Sequence, residues 1–107
     1  MDIEVAFHRE MLNIYEQAKT ECNYVATRFL QMVGRLGGLA AAKQLLASEG
    51  YSEGLTRLWE ERRLDISMEA LILQDPWRKL FTVEELEIAR LRLTKLGYTP
   101  KQIGRDR

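Results

Sequence analysis

The chain has 107 residues but only one cysteine, one histidine and no excess of either charge. Cys22 alone excludes an internal disulfide, and a lone thiol fits a reducing compartment such as the cytoplasm. His8 and Cys22 cannot assemble a zinc site between them, because such sites draw three or four ligands of this kind at close spacing. Sixteen basic residues balance sixteen acidic ones. That balance removes the global basic footprint of a nucleic-acid binder and the acidic, aromatic-poor signature of a disordered chain. No apolar run approaches the roughly 18 residues of a membrane span, so no membrane partner is expected. The start, MDIEVAFHREML, is acidic and broken by charge, unlike the basic start and unbroken apolar stretch of a signal peptide. Strand patterning is missing too: the nearest candidate, ALIL at 70–73, is too short and lies between helix signals.

What remains is helical periodicity. Ile3, Phe7, Met11, Ile14 and Ala18 recur at steps of three and four and fall on one face of a helix capped by Asp2. That helix should end near TECN, where Asn23 can turn the chain. The pattern predicts a second helix from Tyr24 to Leu36 with Val25, Phe29, Leu30, Val33 and Leu36 inward, stopped by Gly37 and Gly38. GLAAAKQLLA predicts a third, in which alanines permit close helix approach. A fourth begins at Ser52 with Leu55, Leu58 and Trp59 on one side, and a fifth is capped by Asp65 or Ser67. DPWRKLF reads as a single turn with Asp75 as N-cap and Pro76 first in the helix. TVEE is a capping box that opens a last helix from Val83 to Leu96, with Leu86, Ala89, Leu93 and Leu96 inward. The expected architecture is all-α, a compact bundle of five to seven short helices over residues 1–98, followed by a basic tail at 99–107.

Four features could carry function. VGRLGGLAAAKQLL places three glycines before an alanine-rich run. A P-loop needs a lysine and a hydroxyl directly after its last glycine, and Leu39-Ala40 stand there instead. A helix-hairpin-helix turn is closer, with turn amides holding a DNA phosphate. That reading assigns Arg35, Gly37, Gly38 and Lys43 to nucleic-acid contact, although the motif normally separates its glycines. The plainer reading is a corner between two packed helices. LWEERRLD (58–65) and the preceding residue set Arg57, Arg62 and Arg63 around Trp59, which could stack a nucleic-acid base or anchor a partner protein; the plainer reading is a core tryptophan with surface ion pairs. Trp77 and Arg78 lie in a one-turn helix with little room to bury a whole indole. From residue 90 onward six basic residues (Arg90, Arg92, Lys95, Lys101, Arg105 and Arg107) face one acid, Asp106. These could attract phosphate or simply complement a helix dipole. Glu60-Glu61 and Glu84-Glu85 are adjacent pairs that point about 100° apart on a helix, so they form no acid–base couple. No catalytic constellation, metal site or cofactor motif emerges.

Taken in order, NYVATRFLQMV, GGLAAAKQLL, GLTRLWEERRLD, MEALIL, WRKLFTVEELEIARLRL and LGY form a series over roughly residues 7–98. It resembles an uncharacterised family of small helical domains in bacterial proteins, found alone or attached to larger proteins, some nuclease- or defence-like. The resemblance implies a bacterial cytoplasmic protein and assigns no functional residue. The leading expectation is therefore a non-enzymatic binding module. Its protein partner would meet Trp59, Arg62, Arg63, Trp77 and Arg78, and could itself process nucleic acid. The alternative is weak, direct nucleic-acid binding through the glycine turn and the basic C-terminus. An enzyme using Cys22 has little behind it. A homo-oligomer is compatible with the same pattern, since a chain this short can expose an apolar stripe that another copy covers.

Overall fold

In a computed structural model describing residues 2–99, helix α1 (Ile3–Glu21) is the spine. The Asp2 carboxylate accepts the Glu4 amide at 2.9 Å and starts the helix. Its inward stripe, Phe7, Met11, Ile14 and Ala18, matches the periodicity. The helix ends at Glu21 with Cys22 as its C-cap, and Asn23, just beyond, has a φ of 56°, the left-handed conformation that asparagine tolerates better than most residues.

Helix α2 (Thr27–Leu36) starts three residues later than the pattern predicts. The positive φ at Asn23 directs the chain into an extended link, and the Thr27 amide first turns back to the Val25 carbonyl. Val25, expected inward, is therefore exposed, whereas Val33 is fully buried. Helix α3 (Gly38–Ala47) follows after one residue. Gly37 has φ +88°, a conformation that L side chains rarely adopt. Gly38 is needed for a different reason: a Cβ there would lie 2.7 Å from the His8 Cα. Gly38, Ala41 and Ala42 are all buried, and so α3 lies close against α1.

Helix α4 (Glu53–Glu60) is capped by Ser52, whose Oγ accepts the Leu55 amide. A 3₁₀ turn at Leu64–Ile66 leads into α5 (Met68–Ile72), and Ser67, of the two candidate caps, is the one used. A second 3₁₀ turn covers Trp77–Leu80. Here the expected cap is corrected: Pro76 precedes the turn after a cis peptide bond, and Asp75 instead holds Arg78 at 3.0 Å. Thr82 and Glu85 form the capping box of α6 (Val83–Lys95), each accepting the other's backbone amide. Six α-helices and two 3₁₀ turns, with no strand among the described residues, make an all-α bundle.

The core has two parts. One gathers Phe7, Met11, Val33, Ala41, Leu46, Ile72 and Ala89. The other gathers Ala18, Cys22, Leu55, Leu58, Leu64 and Leu93. Helix α1 passes through both, and α5 and α6 also contribute to each. Behind α5, Arg92 of α6 is buried with Glu69: its Nη1 donates to Glu69 Oε2 at 3.1 Å and its Nη2 to the Ser48 carbonyl at 2.8 Å. Arg92 is thus removed from the surface basic cluster that the sequence suggested. Arg90 pairs with Glu87 one helical turn away. Lys101, Arg105 and Arg107, with most of the tail at 99–107, lie outside the described residues.

Candidate functional site

The glycine turn offers little to a phosphate. The Gly38 amide donates to His8 Nδ1 at 2.9 Å, so the first free amide of α3 is already occupied. The Gly37 amide is taken by the Val33 carbonyl. Lys43 Nζ lies 2.7 Å from Glu85 Oε1 and 5.1 Å from the centre of the Phe81 ring. Asp2 and Glu4 line the same shallow depression as Gly37, Gly38 and Lys43, which sets negative charge against an incoming anion. Arg35, in the last turn of α2, is exposed. His8 acts here as an acceptor that caps α3, a role that one-dimensional spacing could not reveal across 30 residues.

The five residues expected to meet a partner separate into three places. Trp77 is half-buried and packs on Phe7, with ring centres 5.8 Å apart. Arg78 is exposed and bound to Asp75. Arg63 is half-buried between the end of α1 and the first 3₁₀ turn, donating to Glu21 at 2.7 Å and to Asp65 at 3.1 Å. Its bonds to Asp65 and Glu21 push its pKa above the ordinary guanidinium value.

Trp59 and Arg62 do come together. Trp59 is 46 % exposed although Leu55, one turn earlier on the same side of α4, and Leu58 are buried: it stands at the edge of that apolar stripe, on the side away from Leu58. Arg62 has φ +60°, and the Arg62 amide donates to the Trp59 carbonyl. Beside them lie Leu96, Gly97 and Tyr98, which close an open depression of about 580 Å³. Burial and the nearby Asp65 push the Tyr98 hydroxyl above its ordinary pKa, so it remains a proton donor at neutral pH. Leu96 and Tyr98 were not among the candidate residues, since only the folded chain brings the turn after α6 near Trp59.

A second feature also escaped the sequence. An apolar cleft of about 230 Å³ opens between α1, α2 and α4, where the two parts of the core do not fully close on each other. Ile14, Phe29, Met32 and Leu58 are among its walls, Tyr24 and Gly54 lie on α2's approach and on α4, and Ser67 and Glu69 line it from α5. Burial pushes the Glu69 carboxyl above the ordinary range, against the pull of its own backbone amide and Arg92. Burial and Glu53 likewise raise the Tyr24 hydroxyl, while Arg57 stacks on its ring at 4.9 Å.

Cys22 is buried, which raises its thiol pKa and leaves it less nucleophilic than a free cysteine. Among the described residues no group of three or more metal-ligating side chains converges, and no helix is long and apolar enough to cross a membrane. Comparison with family models, curated proteins and solved structures finds no match.

Proposed function

We propose that this chain is a non-enzymatic helical binding module that recognises a protein partner through the surface around Trp59. The observation that carries this reading is the exposed indole of Trp59 beside Arg62, Leu96 and Tyr98 in one open depression. Tryptophan, tyrosine and arginine are the residues most enriched at the energetic centres of protein interfaces. An indole left in water, with a guanidinium and a phenol at its edge, combines apolar area with directed hydrogen bonding. The sequence resemblance points to a partner that processes nucleic acid. At Gly37-Gly38 the geometry does not favour the nucleic-acid alternative, because the amides and the lysine that a phosphate would need there are already engaged.

The test is affinity capture from a bacterial extract with the wild-type chain and with Trp59→Ala, each checked for helicity by circular dichroism. A partner retained by the wild type should be lost with Trp59→Ala, and its affinity reduced about 30-fold, the effect of losing one central anchor. Equal retention by both chains would refute the assignment.

A further inference from the structure

Six charged residues lie along α6. Four are engaged within the chain: Glu85 with Lys43, Glu87 with Arg90, and Arg92 with Glu69. The other two, Glu84 and Lys95, are exposed, and no described residue of opposite charge pairs with either. Between them Ile88 and Leu91 are 36 % and 43 % exposed. Glu84, Ile88, Leu91 and Lys95 recur at steps of four, three and four, so they form one stripe along the helix. That is the spacing of a coiled-coil seam. The buried side of α6, with Ala89 and Leu93, points elsewhere. Lys43 and the Ser48 carbonyl hold α3 and its end along the Glu85 and Arg92 edge, and the stripe stays in water.

The order of the stripe defines its occupant. Acid, apolar, apolar and base follow the same steps read from either end. A two-fold interface must be complementary to itself. Turned end for end about a two-fold axis at its middle, the stripe sets Ile88 on Leu91 of a second copy and Glu84 beside that copy's Lys95. A parallel pairing would instead oppose Glu84 to Glu84 and Lys95 to Lys95. The helix dipole favours an acid at the start and a base at the end, but it gives no account of the exposed apolar pair between them. We propose that α6 is a self-association surface, an antiparallel two-fold pairing of two copies of this chain along Glu84, Ile88, Leu91 and Lys95. A helix of 13 residues is about 20 Å long. It buries less than the roughly 800 Å² per partner of a standard interface, so the pairing is weak and reversible. None of the four residues lines the depression at Trp59, so this surface is separate from the partner site.

Sedimentation equilibrium of the full chain at low salt, at concentrations up to about 1 mM, tests this. The average mass should rise with concentration toward that of a dimer, and less steeply as salt screens the exposed charge pairs. Glu84→Lys and Lys95→Glu each turn two attractive contacts into repulsive ones, because symmetry repeats the change. Each should weaken association at least about tenfold. An equal mixture of the two variants should associate again, since every opposed pair then has unlike charges. The double reversal Glu84→Lys/Lys95→Glu should also recover the dimer, as an antiparallel pairing requires. Leu91→Lys should abolish association, whereas Val83→Lys, at a more exposed valine off the stripe, should leave it unchanged. All six positions of substitution or control lie on exposed side chains, and circular dichroism checks that each variant keeps its helicity. A constant monomer mass up to about 1 mM would overturn the proposal. So would charge variants that alter thermal stability but not association, which is the outcome of the dipole alone, or a double reversal that stays monomeric.

Discussion

Gly37 and Gly38 are neighbours with different physical duties, and substitution distinguishes them. Gly37 is required by its φ of 88° with ψ of 156°, a backbone region essentially reserved for glycine, so Gly37→Ala should cost about 1–3 kcal/mol. Gly38 is required by the 2.7 Å approach to the backbone of His8, so Gly38→Ala must push α3 away from α1 and break the His8 hydrogen bond. A loss of about 2–4 kcal/mol is expected from overpacking together with the lost bond. Gly34 is the control: it lies in the interior of α2 with nothing within 4 Å of its Cβ position, and Gly34→Ala should stabilise by about 0.5–1 kcal/mol. Urea unfolding of the three variants tests the order; a Gly38→Ala chain as stable as Gly34→Ala would remove the close-approach argument. The corner itself was legible in the sequence. The His8 contact was not, because it depends on which face of α1 meets the start of α3.

The helices are held in register by a few polar contacts that differ in how exposed they are. Removing one partner of the buried Glu69–Arg92 pair leaves the other charge stranded, so Arg92→Met should cost about 3–5 kcal/mol. The double variant Glu69→Leu/Arg92→Met should regain most of that loss, since hydrocarbon fills the space without stranded charge. Thermal unfolding of both chains decides this, and a double variant no better than the single one would show that the pair supplies more than mutual compensation. Burial pushes the Glu85 carboxyl up, but its bonds to Lys43 and to the Thr82 amide outweigh this and hold it below the ordinary range. A lowered folded pKa adds stability above the unfolded value, and that addition fades as pH falls through the folded one. The stability gap between wild type and Lys43→Met should therefore be widest near neutral pH and close in acid. A gap that does not change with pH would contradict the pairing. Asp2, Ser52, Thr82 and Glu85 announced their helix ends because capping is local. Arg92 misled, because its sequence neighbours are exposed basic residues and its partner lies 23 positions away.

For the molecule as a whole, the arrangement of charge argues against phosphate contact at the glycine turn. Retention on a mixed DNA column at low salt should be weak, and Arg35→Glu/Lys43→Glu should not change its salt dependence, because the lysine already serves Glu85. Strong retention abolished by that double reversal would restore the nucleic-acid reading. Trp59 and Trp77, grouped in the sequence by type, are divided by the fold: one indole lies outside α4 beside Tyr98, and the other is packed on Phe7. Any tryptophan-centred interface is therefore built on α4 and the end of α6.

Periodicity, caps and turn residues act within about one helical turn, and so the residues themselves dictated the helices, their order and most of their ends. Val25 and the start of α2 departed from the pattern only where a left-handed asparagine redirected the chain. Long-range packing settled the rest: which glycine meets His8, that Arg92 is buried against Glu69, that Tyr98 stands beside Trp59, and that a cleft opens between the two parts of the core. Those outcomes depend on the relative placement of helices far apart in the chain, which local spacing does not encode.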